Sequence, residues 1–135
     1  MKLFFTPKEI MHITSISYKQ LEYWDRTDLV KSTVENSSKK SRVYNFEDLL
    51  LIYIINYLRT DHPKKFSVQS LRKRIQTLRE LLNGLGDEIV GSTVIFDKKS
   101  VFVTTGKLLM SDKDKESYVI LEVSELMSKV SNVKG

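Results

Sequence analysis

The sequence predicts an α+β fold, in which a four-helix winged helix-turn-helix is followed by a small β-rich region and a short closing helix. Three observations predict it: two helix-opening signals eleven residues apart near the N-terminus, two β-type runs joined by a polar turn directly after them, and a second set of β-type runs beyond Gly86. We therefore divide the chain into a domain of residues 1–82 and a region of residues 83–135.

The first two helices are predicted from their capping residues. The hydroxyl of Thr6 can cap a helix, Pro7 suits the first helical position, and Glu9 completes a capping box. Ser17 and Gln20 repeat this pattern. Because only a short bend fits between the two openings, the helices must pack at a steep angle, as in a helix-turn-helix.

A two-stranded wing is predicted after the second helix. Residues 29–34 form a β-type run, residues 35–40 are polar, and residues 41–44 form the return strand. This arrangement places a short antiparallel ribbon beside the end of the second helix.

The third and fourth helices follow the wing. Asn45 and the acidic residues after it favour a helix start, and we expect this helix to run to about Arg59 and to stop at Pro63. Ser67 is predicted to cap a fourth helix that ends at about Leu82. Apolar residues recur on one face of this helix, and the opposite face carries a basic triplet at residues 72–74.

Composition limits the class of protein. The chain has 135 residues, of which 41% are hydrophobic, which is enough for one ordinary globular domain with an appendage. It has no cysteine, which excludes disulfides, thiolate metal sites and a cysteine nucleophile. The N-terminal MKLFF does not resemble a signal peptide, and the apolar stretch of residues 49–58 is too short to span a bilayer. We expect a cytoplasmic protein, associated with the nucleoid when bound to DNA, with no membrane partner.

Enzymatic activity is not expected. His12 and His62 have no carboxylate pair or nucleophile motif around them, and the glycines form no phosphate-binding loop. The sequence therefore predicts no catalytic residue, no metal site and no cofactor.

The basic charge of the chain belongs to its first part. Residues 1–82 hold 15 Lys or Arg against 9 Asp or Glu, whereas residues 83–135 hold 7 against 8. Basic clusters occur at Lys39-Lys40-Arg42, at residues 64–65 and at residues 72–74. Such clusters suit a surface that faces a polyanion. Charge alone is equally consistent with an ordinary solvated surface.

These residues resemble a known family, the winged-helix DNA-binding domain of MerR-type transcription regulators. The resemblance covers residues 4–82 and rests on four motifs in order: residues 6–11, residues 16–24, residues 40–49, and residues 66–68, which read TPKEIM, ISYKQLEYW, KSRVYNFEDL and FSV. The sequence departs from the family pattern at three places. Ser15 replaces a turn glycine, Glu22 replaces an arginine of the recognition helix, and Lys40-Ser41 replaces a Gly-Tyr pair in the wing.

The resemblance and the helix geometry together imply a DNA-facing group. Lys19 can donate to guanine and Gln20 can pair with adenine, while Ser17, the Tyr23 hydroxyl and Arg42 would contact phosphates. The full predicted set is Ser17, Tyr18, Lys19, Gln20, Tyr23, Lys39, Lys40 and Arg42. Tyr23 and Trp24 are alternatively core residues, and for Trp24 we expect the core. The wing lysines, with Lys31, are alternatively solubilising charges.

The third helix is unusually apolar for the family. Four residues fill places that are usually polar: Leu50, Leu51, Tyr53 and Tyr57. A helix that is apolar on nearly all sides needs a second surface to cover it. We predict an interface here, formed either with the C-terminal segment of the same chain or with a second copy.

The C-terminal region reads as β-rich. A β-hairpin is predicted over residues 93–104, a short strand over residues 108–110, and a further strand over residues 117–123. Ser124 is predicted to cap the closing helix. Because so few elements hardly form a core of their own, we expect the region to dock onto the first domain or onto another protomer.

Two functions follow from the sequence. The first is a sequence-specific DNA-binding transcription regulator that binds a palindromic site on double-stranded DNA as a homodimer. The alternative is a winged-helix protein interaction module without tight DNA binding, suggested by the acidic residues Glu22, Asp25 and Asp28. Three roles stay open for the C-terminal region: dimerisation, sensing of a ligand, and docking of a protein partner.

Overall fold

The computed structural model describes residues 4–32, 34–36, 41–62 and 66–132. The elements are β1 (Phe4–Phe5), α1 (Pro7–Thr14), α2 (Tyr18–Arg26), β2 (Val34–Asn36), β3 (Ser41–Asn45), α3 (Phe46–Asp61), α4 (Val68–Asn83), a 3-10 helix (Gly86–Gly91), β4 (Thr93–Phe96), β5 (Val101–Thr104), α5 (Asp112–Lys115), β6 (Val119–Glu122) and α6 (Val123–Ser131). Helices and two small antiparallel sheets share one molecule, which is an α+β fold.

The predicted helix starts near the N-terminus are confirmed. Thr6 and Glu9 form a capping box at the start of α1, and the Ser17 hydroxyl accepts a hydrogen bond from the Gln20 amide at 3.1 Å at the start of α2. Between the helices, Ser15 has a left-handed backbone with φ of 64°. A residue other than glycine costs on the order of 1 kcal/mol in this conformation, so the turn is held by the helices that flank it.

The first sheet has the order β1-β3-β2. Val34 pairs with Val43 across strands β2 and β3, and Phe4 pairs with Asn45 across β1 and β3. The sequence analysis missed β1 and began the first wing strand too early, at Leu29. Residues 29–32 are not a strand, because the amides of Leu29 and Val30 donate to the Trp24 carbonyl and wind the chain around the end of α2.

Helix α3 lies at the centre of the protein. Nine of its residues are buried, including Leu50 and Leu51. It packs against α4 and also against α6, which folds back from the C-terminal region and contributes the buried Leu126. The buried hydrophobic residues of the two regions form one cluster in space, which includes Phe5 near the N-terminus and Val130 of α6. Within the described ranges, no helix is long and apolar enough to cross a bilayer.

The second sheet has the order β5-β4-β6 and belongs to the C-terminal region. The predicted hairpin is confirmed, with Thr93 opposite Thr104. The predicted strand at residues 108–110 is wrong, since these residues have no regular structure. The predicted Ser124 cap is also wrong: α6 begins at Val123, whose amide donates to the Ser92 carbonyl at 3.1 Å, so a tertiary contact replaces the side-chain cap.

Candidate nucleic-acid interface

The outer face of α2 carries the predicted base-reading residues. Tyr18 is 54% exposed and Tyr23 is 46% exposed, and Lys19 lies exposed beside them. Gln20 is half-buried, so less of its amide is available. Ser17 begins the helix, and its hydroxyl accepts from the Gln20 amide. Tyr18, Lys19 and Tyr23 are therefore the predicted residues of α2 that are most open to solvent.

Arg26 lies next to this exposed face and was not predicted. Its guanidinium stacks over the Tyr23 ring at 5.6 Å from the ring centre, and it lies 3.6 Å from the Glu22 carboxylate. Both side chains of this ion pair are solvent-exposed, so the pair adds little stability. It does bring a cation beside Glu22, the anion that replaces an arginine of the family pattern.

Asp25 forms the most buried charge contact of α2. Its side chain is 7% exposed, and Arg42 of strand β3 approaches it with Nε at 3.2 Å. The Tyr44 hydroxyl donates to the same carboxylate oxygen at 3.4 Å. Burial, followed by the nearby Asp25 carboxylate, raises the pKa of Tyr44 well above its usual range, so this hydroxyl stays protonated and remains a donor.

This cluster changes the interpretation of Arg42. The sequence analysis assigned Arg42 to a DNA phosphate, whereas the structure engages its Nε with Asp25. The side chain keeps 30% of its surface exposed, so part of the guanidinium still faces solvent. Its first role is to hold strand β3 against α2. Sequence reasoning missed the cluster, although an aspartate on the same helix face as Leu21 signals a buried charge that needs a partner.

Asp28 and Lys31 follow the end of α2. Asp28 has a left-handed backbone with φ of 62°, and its carboxylate lies 3.8 Å from the Lys31 ammonium. Each of the three acidic residues that suggested an interaction module therefore has a cationic neighbour. The predicted residues Lys39 and Lys40 lie outside the described part of the chain.

The sequence analysis placed the whole basic triplet of α4 on the face opposite its apolar residues, and this placement is wrong for Arg74. Arg74 is 8% exposed, its Nη1 donates to the Asp97 carbonyl at 2.7 Å, and its guanidinium lies over the Phe66 and Phe96 rings. Arg72 donates to the Thr27 carbonyl at 2.8 Å, which ties α4 to the end of α2. These two arginines have structural contacts because the β4–β5 turn and the end of α2 pack onto this side of α4.

Trp24 is a core residue, as predicted. It is fully buried, and its indole Nε1 has no hydrogen-bond partner within the described part of the chain. The guanidinium of Arg59 lies over its ring at 5.8 Å. Trp24 therefore anchors α2 against α3 and takes no part in the exposed face.

The predicted interface residues of α3 divide into two pairs. Leu50 and Leu51 are at most 1% exposed, so they are covered by this chain and cannot contact a second folded copy. Helix α6 of the C-terminal segment packs against α3, and an interface between α3 and a second copy stays a prediction. Tyr53 and Tyr57 are half-buried and line a groove beside the turn between α1 and α2.

Within residues 4–32, 34–36, 41–62 and 66–132, no three His, Asp or Glu side chains lie close enough together to hold a metal ion. The site offers hydroxyl, ammonium, amide and guanidinium groups. Such groups bind phosphates and the acceptor edges of bases.

Comparisons with known proteins identify the family of this chain. The family model described as MerR HTH family regulatory protein matches residues 5–85. Uncharacterized HTH-type transcriptional regulators of Mycobacterium bovis and of two strains of Mycobacterium tuberculosis are each 30% identical over 95 residues, which is 69% of this chain. The aligned part spans 40% of the length of these relatives. The matched residues hold α1 to α4 and the α2 face described above, and this chain belongs to the MerR HTH family of regulatory proteins.

Proposed function

We propose that this chain is a sequence-specific DNA-binding transcription regulator. In this proposal α2 is the recognition helix of a four-helix winged helix-turn-helix, and strands β2 and β3 form its wing. One observation carries the proposal: Tyr18, Lys19 and Tyr23 are exposed together on α2. Each acidic residue in this helix or directly after it, namely Glu22, Asp25 and Asp28, has a cationic neighbour.

The exposed side chains suit the major groove. Lys19 can donate to the O6 and N7 acceptors of guanine, and the accessible part of Gln20 can pair with adenine. Ser17 and the Tyr23 hydroxyl would contact phosphates on either side of the bases and fix the register of the helix. Lys39 and Lys40 would add backbone contacts from the wing turn.

Electrostatics favour a polyanionic partner. Residues 1–82 carry the basic charge of the chain, and the arginines of α4 that are used inside the protein leave Lys19, Arg26 and the wing lysines to face DNA. Each phosphate contact releases counterions, so binding should weaken steeply with salt.

We also propose that two copies bind a palindromic site. A dimer with twofold symmetry would place one α2 on each half-site, one helical turn or a multiple of it apart. Light scattering of the protein alone and with its duplex measures this directly. A complex with one chain per duplex would contradict the dimer without contradicting DNA binding.

The test of DNA binding is selection of sites from a random duplex library, followed by fluorescence anisotropy at several salt concentrations. We expect a common sequence in the selected pool and a linear fall of log affinity with log salt. Lys19→Gln should relax the base preference. Lys113→Gln is the matched control, since it removes an exposed lysine of α5 that lies far along the chain from α2.

The alternative function is a protein interaction module on the same frame. It was suggested by Glu22, Asp25 and Asp28, whose charges are now each accounted for by a neighbouring cation. The same experiment separates the two functions, because an interaction module predicts a selected pool without a common sequence.

A further inference from the structure

A groove of about 660 Å³ lies behind the start of the recognition helix. One wall is the turn between α1 and α2, including Ser15 and Ser17, and the other is the outer face of α3, while Lys129 of α6 closes one side. This volume falls in the range of small-molecule sites in proteins. Apart from Ser17, the lining of this groove shares no residue with the predicted DNA-facing set.

Arg59 is the central charged residue of this groove. Its Nη2 donates to the Asn56 side-chain oxygen at 3.2 Å, and its guanidinium lies over the Trp24 ring. Its buried Nε has no hydrogen-bond partner among the described residues. Two other partly buried arginines face carboxylates: Arg42 pairs with Asp25, and Arg79 pairs with Asp48 at 3.0 Å. Arg74 instead donates to the Asp97 carbonyl, a backbone acceptor of a kind that Arg59 lacks within the described ranges. Arg59 forms no ion pair with any part of the chain that the structure describes. A half-buried guanidinium without a counter-charge favours an anion supplied from outside.

The remaining lining adds donors of the kind that hold an oxyanion. Lys129 is a second cation, and Tyr53, a residue with a phenolic hydroxyl, also lines the groove. Burial, followed by the charges of Glu125, Tyr57 and Asp61, raises the pKa of Tyr53, so its hydroxyl remains a donor at neutral pH. The lining contains no carboxylate, since Glu125 and Asp61 lie outside it.

We propose that this groove binds an oxyanion, a phosphate or carboxylate group, between Arg59 and Lys129. The group comes either from a free small molecule or from the backbone of bound DNA, and the second source rests on the proposed function. Because Ser15 and Ser17 form part of the wall, the bound anion contacts the turn that positions α2.

The first arm of the test measures thermal unfolding of the full chain in inorganic phosphate, against chloride at equal ionic strength. Phosphate that binds the folded protein raises the melting temperature in a concentration-dependent way. Lys129→Gln and Arg59→Gln should each weaken phosphate binding on the order of tenfold, since each removes a charge-assisted contact. Lys129 is exposed, so its variant should fold normally even if Arg59→Gln, which loses contacts to Asn56 and Trp24, is destabilised.

Lys113→Gln, which removes an exposed lysine outside the groove, should respond to phosphate as the parent protein does.

The second arm measures the salt dependence of binding to the selected duplex. If the groove holds a backbone phosphate, Lys129→Gln lowers the slope of log affinity against log salt by about one. If it holds a free anion, the slope is unchanged while the phosphate response is lost.

The proposal is overturned if phosphate stabilises the parent and Lys129→Gln equally, or not at all, and the salt slope of the variant is also unchanged. A protein that binds no DNA but loses its phosphate response in Lys129→Gln would contradict the proposed function and leave the oxyanion site standing. The two failures are therefore distinguishable.

Discussion

Two basic segments of this chain look alike in sequence and differ in structure. Lys19 and Arg26 of α2 stay on the surface, whereas Arg72 and Arg74 of α4 bind carbonyl groups of the protein itself. Helical spacing predicts which residues share a face, but the segment that later packs onto that face decides whether the face meets solvent. Here the β4–β5 turn packs onto α4, and no described segment covers the outer side of α2 in the same way.

The sharpest difference between surface and internal arginines should appear at Arg42. Arg42→Gln leaves the Asp25 carboxylate buried without its cation, so we expect the free energy of unfolding to fall by about 3 kcal/mol. This value is at the low end for buried ion pairs because the Arg42 side chain is partly exposed. Urea denaturation measures this change. The double variant Asp25→Asn, Arg42→Gln should recover part of the loss, and an Arg42→Gln midpoint equal to that of the parent would show that the pair is unimportant.

Arg74 tests the other segment. Arg74→Met removes donors to the Asp97 carbonyl and should lower the free energy of unfolding by about 2 kcal/mol, because a partly buried acceptor is left unpaired. Lys73→Gln, one residue earlier and exposed, should change it by less than about 0.5 kcal/mol. Equal effects of the two substitutions would mean that the triplet is a solvated face after all.

Lys19 tests the exposed segment by function. Lys19→Gln should leave the melting temperature unchanged and reduce discrimination between the selected duplex and one with a substituted guanine by about 1–3 kcal/mol. Anisotropy titrations with both duplexes measure it. Arg74→Met protein that is still folded should discriminate as the parent does, and a loss of discrimination there would contradict the internal assignment of Arg74.

The smallest expected effect concerns the turn that covers α4. The amides of Lys99 and Ser100 donate to the Asp97 carboxylate and lower its pKa. A lowered pKa means that the ionised form stabilises the fold, so this contribution is present above the ordinary value of 3.8 and is lost as the pH falls below it. In Asp97→Asn, the free energy of unfolding should therefore fall less between neutral pH and a pH of about 3 than it does in the parent protein. Denaturation at several pH values measures this. An unchanged pH dependence would show that the ionised Asp97 carboxylate does not stabilise the fold.

Much of the fold follows from local chemistry in the sequence. The caps at Thr6, Ser17, Asn45 and Ser67 predict four helix starts, and all four are confirmed. Such signals work because a cap involves residues three positions apart. Three predictions failed for another reason: the Ser124 cap, the start of the wing at Leu29, and the placement of the whole basic triplet on the free face of α4. Contacts with other segments decide the structure at these places.

Part of the candidate site is likewise predictable from local sequence, and part depends on contacts between distant segments. Exposure of Tyr18, Lys19 and Tyr23 follows from their spacing relative to Leu21, which the sequence shows. The link from Asp25 to Arg42 joins residues seventeen positions apart, and the groove at Arg59 joins three helices, so both need the folded chain. The assignment of these residues to DNA stays a prediction.

Selection of binding sites from random duplexes, with the affinity of the selected site measured across a salt series, tests the central claim most directly. The account predicts tight binding that depends on sequence, falls linearly with log salt, and loses its base preference in Lys19→Gln while Lys113→Gln keeps it. Equal affinity for selected and random duplexes, or no binding to either at low salt, would contradict it.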